Sequence, residues 1–348
     1  MSAGPREREP SLPTKTSIEL DAIFARSSAA LRLHGASDWI AASVASAITR
    51  AEAEGNVICG LYYLESYCRQ LLSGRVNGTV EPAISLPRPG AVLADARFGF
   101  AQAAFQRAFA SAIAAARDNG TATLAVAHAH TCTSLGYFTR QFAEAGMLAV
   151  GFTNASAVVA PPGGNRPILG TNPVAMSVPA RDGGVAFGFD HSTSAVALGK
   201  ITMAAAAGEA IPPGWAVDGD GRPTTDPAAA LKGALLSAGG YKGYSFGLMA
   251  EVMASALTGS VASRDVKALK APEGSPHDLG QTYWVMDPAT FAGDMFFDRI
   301  EALASAVAAQ EGARLPGSRR NDCETVEVDT ALWQATMTLG ERRVTLGN

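Results

Sequence analysis

Apolar residues recur at helical spacing at the start of the chain and at strand spacing in its middle. Ile18, Ile23 and Phe24 follow Thr16, which has capping-box spacing with Glu19, so a first helix is expected from Thr16. Ser37 precedes a stretch with Trp39, Val44 and Ile48 on one face and Gly55 as its stop, which predicts a second helix. A third is expected near residues 61–74, ending at Gly74, and a long alanine-rich one over about 101–118. Residues 79–99 are rich in Pro and Gly and read as a linker with short extended pieces. The runs 121–127, 147–154 and 185–190 have the length and β-branched content of buried strands, with helical spacing over 136–145 between the first two. Residues 161–173 read as a loop, 211–227 as turn-rich, 244–259 as helix, 280–287 as a weaker strand and 292–312 as the last long helix. Helices at both ends of a strand-rich middle predict an α/β (α+β) chain with a discontinuous helical domain, 16–78 plus 288–348. Residues 79–287 then form a cofactor- and substrate-binding region with room for two subdomains, and 1–15 a flexible tail.

Composition narrows the setting. With 28 basic and 32 acidic side chains and a net charge of -4, the chain lacks the basic surface that phosphate backbones require, so no nucleic-acid partner is expected. No run of 18 uncharged apolar residues is present and the first fifteen residues lack an apolar signal core, so no membrane partner is expected. Four scattered cysteines, Cys59, Cys68, Cys132 and Cys323, form neither a disulfide framework nor a zinc spacing and suit a reducing, cytoplasmic setting.

The usual chemical signatures are missing. There is no G-x-G-x-x-G after a strand, no phosphate-binding P-loop, no G-x-S-x-G and no HExxH. Asp218-Gly-Asp220-Gly begins like a calcium loop but lacks the later ligands, and a surface turn is the simpler reading. His128 and His130 alternate past the strand 121–127 and share a side if that strand continues. Without a third ligand they make no metal site, which leaves a polar rim facing a cofactor or an ordinary hydrogen-bonded pair. Lys242, among Gly239, Gly240 and Gly243 before a helix, suits an anion or is a solvated loop lysine. Arg314, Arg319 and Arg320 surround a Pro-Gly turn that either clasps a phosphate or is an exposed basic turn. Asp190 ends a strand before His191, Ser192, Thr193 and Ser194, where it either orients an active-site group or caps the turn.

Six blocks taken together, residues 60–78, 98–105, 136–179, 189–201, 239–259 and 314–320, resemble the malate/L-lactate dehydrogenase family, in its type II, non-Rossmann branch. The most specific block is 151–176, which contains GTNP at 170–173. That branch includes ureidoglycolate dehydrogenases and Δ1-piperideine-2-carboxylate/Δ1-pyrroline-2-carboxylate reductases. The resemblance implies a largely antiparallel central sheet with a helical domain from both termini, an NAD(P)H cofactor, a homodimer and a small 2-imino or 2-oxo/2-hydroxy acid as substrate. It places Thr131, Cys132, Thr133, Ser134 and Leu135, with Asp190, His191, Ser192, Tyr241, Lys242, Arg314, Pro316, Gly317, Arg319 and Arg320, at the cofactor. Thr171 is expected at the substrate, and Asp190 is the orienting carboxylate.

The chain departs from this pattern where the acid chemistry belongs. The family's Ser-His-Gly and the Arg four residues after the His correspond to Ile58, Cys59, Gly60 and Tyr63, and the family's His in the cofactor loop is Thr131. A ketone that receives hydride becomes an alkoxide and needs a positioned acid, whereas a cyclic imine can bind already protonated. The expectation therefore leans toward an imine reductase, with Cys59, Tyr63, His128 or His130 as candidate acids and Tyr63, Thr171 and Arg166 as candidate carboxylate partners. A malate/lactate-type 2-hydroxy acid dehydrogenase and a catalytically silent nucleotide- or ligand-binding homologue remain the alternatives.

Overall fold

The computed structural model describes residues 14–317 and 323–345. The chain begins with strand β1 (Lys15–Glu19) and helices α1 (Leu20–Leu33), α2 (Asp38–Ala53) and α3 (Leu64–Leu72). A hairpin of β2 (Ala83–Arg88) and β3 (Ala91–Asp95) leads to α4 (Ala101–Asn119), β4 (Thr121–Ala129), α5 (Gly136–Glu144), β5 (Leu148–Thr153), β6 (Val174–Pro179) and β7 (Val185–His191). Then come α6 (Leu198–Ala207), β8 (Ala216–Val217), β9 (Pro223–Thr224), α7 (Pro227–Lys232), β10 (Ala234–Leu235) and α8 (Tyr241–Glu251). The chain closes with β11 (Leu279–Met286), α9 (Pro288–Phe291), α10 (Asp294–Ala308), β12 (Thr325–Asp329) and α11 (Thr330–Glu341).

Among the described residues the main sheet has the order β2-β3-β4-β11-β5-β6-β7, and every neighbouring pair is antiparallel except β3–β4. It is the largely antiparallel sheet expected. Its core lies against α4 and α5. On α4, Ala101, Ala104, Phe105, Ala108, Ala112 and Ala116 fall three or four residues apart, so their burial follows from helical periodicity. Small alanines bring this helix close to the strands, and Phe105, Phe138, Phe142 and Tyr283 fill the remaining space edge to face. A second core gathers α1, α2, α3 and α11, with Ile23, Leu31, Ile40, Val44, Tyr67 and Leu339 inside. The 211–227 turns contribute β8 and β9 to a small three-stranded sheet with β10.

Three expectations are corrected. Thr16 does not cap a helix: residues 15–19 pair antiparallel with 325–329, Ile18 turns inward, and the Thr16 hydroxyl meets that of Thr330 at 2.8 Å. The local capping signal loses to a partner strand more than three hundred residues away, and Lys15, counted with the tail, lies in that ladder; residues 1–13 of the tail are outside the described residues. Residues 79–99 are not a linker, because 83–88 and 91–95 form the edge hairpin of the main sheet. The third helix, expected near 61–74, is α-helical only over Leu64–Leu72: residues 61–63 form a short 3-10 turn, preceded by another at 57–59. No helix among the described residues is long and apolar enough to cross a membrane.

Candidate active site

The mouth of the main sheet, where β7 ends beside the start of α5, opens into a cleft of about 550 Å³. Its walls are Gly136 and Arg140 of α5, Arg50 and Glu54 at the end of α2, Gly188–His191 of β7 and Arg314–Gly317. The 314–317 segment is fixed on the strand by the Gly188 N–H, which donates to the Pro316 carbonyl at 3.2 Å. Arg314, Pro316 and Gly317 are thus brought beside Asp190 and His191; Arg319 and Arg320 lie outside the described residues.

Asp190 is held from the cofactor-loop side. Its Oδ2 accepts from the Gly136 N–H at 2.8 Å and from the Ser134 hydroxyl at 3.4 Å. Glycine at 136 allows this close approach: a Cβ there would stand 3.0 Å from the Asp190 Cβ and press the carboxylate away by a few tenths of an ångström. Burial raises the Asp190 carboxyl from its ordinary value, and the Gly136 and Ser134 hydrogen bonds oppose the rise. The rest of the loop is folded inward: Leu135 and Cys132 are buried, Gln102 donates to the Cys132 carbonyl, and Thr133 takes a left-handed conformation with its hydroxyl bonded to that same carbonyl.

Cys59 and Tyr63 reach this region from the 3-10 turns. The turns rest on buried Glu52, whose Oε1 accepts from the Leu61 N–H at 2.7 Å; a Cβ at Gly60 would fall onto that oxygen and push the Glu52 side chain off this bond. Burial, then the nearby Asp190 carboxylate, push the Cys59 thiol up to about 12. Burial likewise raises the Tyr63 hydroxyl, which has no hydrogen-bond partner, and the Tyr63 ring lies 4.9 Å from that of Tyr67. The Tyr67 hydroxyl reaches Thr133 at 3.4 Å, which joins this face to the loop. Both acid candidates therefore remain neutral at neutral pH. Ile58 is exposed.

The two histidines part company. His128 has a left-handed backbone and its Nδ1 pairs with Asp278 at 2.7 Å on a half-exposed rim. His130 is fully buried, donates from Nε2 to the Gln70 carbonyl oxygen at 2.7 Å and stacks on His277 at 3.9 Å. Neither lines the cleft. The His277 Nδ1 accepts from the Thr131 N–H at 3.3 Å, so the buried pair supports the cofactor loop from behind.

Burial holds both rings neutral, His130 well below its ordinary value and His277 down to about 3. A histidine lowered in the fold stabilises it above the unfolded value of 6.5 and loses that contribution as pH falls toward 3. For His277 alone the loss is on the order of 2 kcal/mol at pH 5. Thermal unfolding followed between pH 7.5 and 5 is expected to show a falling Tm (pH values chosen to span roughly the histidine range). A flat Tm in wild type, or a slope unchanged in His277→Asn, would contradict this.

The other expected positions are more scattered. Thr171 is half-buried; its carbonyl accepts from the Thr193 N–H at 2.9 Å. The adjacent Asn172 is the buried hub of the GTNP stretch, with its amide on Glu251 and the Gly247 carbonyl. Arg166 is exposed on the 161–168 loop and does not line the cleft. Tyr241 and Lys242 are exposed in the first turn of α8, whose entry is tied to the segment after Asp190 by the Ala238 N–H on the Thr193 carbonyl at 2.9 Å. His191 stacks on Phe189, and Ser192 is exposed. Sequence reasoning missed Arg50 and Arg140, whose only signal was their place on α2 and α5, and missed Arg75, Gln70 and His277 behind the loop. No cluster of metal-ligating side chains occurs among the described residues.

Three guanidinium groups line the cleft: Arg50 pairs with Glu54 and Arg140 with Glu144, each at 2.7 Å, and Arg314, with no carboxylate partner among the described residues, is the cation available to an anionic dinucleotide. Comparison with known proteins agrees. A family model described as "Malate/L-lactate dehydrogenase" matches residues 18–335. A Δ1-pyrroline-2-carboxylate reductase from Ancylobacter novellus is 39% identical over 311 residues, 87% of this chain and 91% of that protein. A (2R)-3-sulfolactate dehydrogenase (NADP(+)) from Chromohalobacter salexigens is 40% identical over 294 residues, 84% of this chain and 87% of that protein. The crystal structure of Δ1-piperideine-2-carboxylate reductase from Pseudomonas syringae pvar. tomato superposes with a TM-score of 0.86 at 32% identity, covering 93% of this chain and 99% of that one.

Proposed function

This chain belongs to the malate/L-lactate dehydrogenase family, and on that premise we propose that it is an NAD(P)H-dependent reductase of small cyclic 2-imino acids of the Δ1-pyrroline-2-carboxylate kind. The observation that carries the proposal is Asp190, a carboxylate held by the Gly136 N–H and the Ser134 hydroxyl, whose charge acts on Cys59, a candidate acid that stays neutral. A site with a held carboxylate and no cationic acid suits a substrate that brings its own positive charge. A protonated cyclic imine does so. The bound nicotinamide cofactor supplies a hydride; added to C2 of an iminium, it leaves a secondary amine and calls for no proton from the protein. A 2-oxo acid in the same place would become an alkoxide next to a thiol held at about 12.

Asp190, fixed by Gly136 and Ser134, orients the ring nitrogen, and Arg314 offers charge to the cofactor phosphates. A homodimer is supported by apolar side chains left exposed on α8 and α10, among them Phe246, Leu248, Met295 and Leu303, and by the absence of any buried residue in α10. Free thiols and a need for reduced nicotinamide suit the cytoplasm.

Cofactor oxidation measured with Δ1-pyrroline-2-carboxylate, Δ1-piperideine-2-carboxylate, pyruvate and oxaloacetate tests the reading. Its kcat/KM is expected to favour the imines by roughly 100-fold or more, the scale of a missing general acid. Equal rates with the oxo acids would support a 2-hydroxy acid dehydrogenase. Cofactor binding without turnover of any of the four would support the silent homologue.

A further inference from the structure

Two fully buried polar side chains, Gln70 in the last turn of α3 and Arg75 just after it, grip one loop. The Gln70 amide donates to the carbonyls of Leu269 at 2.7 Å and Ala271 at 2.8 Å, the two residues that flank Lys270. Arg75 donates to the carbonyls of Ala268 at 2.9 Å, Ala271 at 2.5 Å and Ser275 at 3.0 Å. Gln70 is itself fixed by His130. The backbone on both sides of Lys270 is thus clamped from the interior while its side chain alone is left outside.

That side chain lies over the aromatic pair. Its Nζ is 3.8 Å from the Tyr62 ring centroid and 5.3 Å from that of Tyr63, and its charge acts on Cys59. Below it the Tyr63 hydroxyl and one terminal nitrogen of Arg75 are buried with no hydrogen-bond partner. Among the described residues no carboxylate pairs with Lys270 or Arg75. A buried guanidinium without a counter-charge, next to an unused hydroxyl and under a clamped ammonium, makes this side of Cys59 positive. Asp190 acts on the same thiol with the opposite sign. Holding the lysine's backbone in advance lowers the ordering entropy of binding an anion there.

We propose that Lys270 binds the carboxylate of the substrate, assisted by Tyr63, in place of the arginine that the family resemblance implies at position 63. The inference rests on the imine-reductase reading and makes it more specific. An iminium carboxylate is a short dipole: its nitrogen faces Asp190 and its carboxylate faces Lys270, which fixes the face of C2 that meets the cofactor. Gln70 and Arg75 are positioning residues that act through the backbone of the Lys270 loop.

Kinetics of Lys270→Ala and Lys270→Arg with Δ1-pyrroline-2-carboxylate and with the carboxylate-free Δ1-pyrroline test it. The alanine variant is expected to raise KM for the carboxylate substrate by roughly 10- to 100-fold, the scale of a charge-assisted hydrogen bond, with kcat changed less than about threefold. Its preference for the carboxylate over Δ1-pyrroline should fall by the same factor, and arginine should restore most of it. An alanine variant with wild-type KM and preference overturns the inference and leaves the reductase reading standing. If wild type reduces no imine, calorimetry with pyrrole-2-carboxylate in the presence of NADPH decides. Binding by wild type that Lys270→Ala weakens upholds the carboxylate site while the reductase reading fails; no binding by wild type overturns both.

Discussion

Asp190→Asn is expected to lower kcat for cyclic imine reduction by about 100- to 1000-fold, the cost of removing one preorganised charge from a water-poor site. The substitution keeps an oxygen for the Gly136 N–H and nearly the same shape, so the loss reports the charge. Cofactor affinity, read by fluorescence titration, should stay within about threefold, since the contacts to a dinucleotide would come from Arg314 and the cleft backbone. Stability should move the other way. Burial raises the Asp190 carboxyl in the fold, so the native state holds its proton more tightly than the unfolded chain, and stability declines as pH rises through that raised value. At neutral pH the wild type therefore bears a penalty that asparagine relieves, and Tm of the variant should be equal or higher. A variant that keeps wild-type turnover, or one that loses turnover only because it unfolds, would remove Asp190 from the mechanism. The same titration predicts that turnover falls as acidification protonates Asp190.

The second large effect is a gain. Ile58→Ser combined with Cys59→His puts a hydroxyl and an imidazole on the 3-10 turn next to Asp190. Burial at this position disfavours the protonated imidazole and the Asp190 carboxylate favours it; once protonated, the ring is an acid able to meet an alkoxide, and the pH–rate profile of the variant reads which influence prevails. Reduction of pyruvate or oxaloacetate is expected to rise by roughly 100-fold in kcat/KM, the lower end of what a positioned general acid contributes. Imine reduction should gain little, because its hydride step needs no acid. Unchanged oxo-acid rates in a folded double variant would mean that the turn does not present residue 59 to the substrate.

Parts of the fold and site were legible in the chain. The strands β4, β5, β7 and β11 announce themselves by short β-branched runs, and α4 by its alanine-rich stretch. What local pattern could not supply was partnership across long sequence distance. Thr16 and Glu19 carry a helix-cap spacing, yet residues 325–329 claim the segment as a strand. Pro and Gly around 79–99 hide a hairpin whose place is set by pairing with β4. Residues 131–135 and Asp190 were singled out through the family resemblance, and the structure joins the end of that loop to Asp190 by the Gly136 and Ser134 hydrogen bonds. His128 and His130 share a spacing but not a face, because the backbone turns left-handed at His128. Lys270 carried no sequence signal at all. Its setting comes from backbone carbonyls gripped by Gln70 and Arg75 some two hundred residues earlier, and carbonyls have no letter in a sequence.

Passage of a hydride to C2 of a cyclic imine, without an acid from the protein, is open to a direct check by isotope transfer. Δ1-Pyrroline-2-carboxylate is incubated with NADPH or NADH deuterated at both C4 positions, and the amino acid product is read by mass spectrometry. The expected product is proline one mass unit heavier, labelled at C2, formed at a rate that Cys59→Ala leaves within about threefold of wild type, since no acid step is lost. Unlabelled proline, no proline with either cofactor, or a rate that collapses when the thiol is removed would contradict this route.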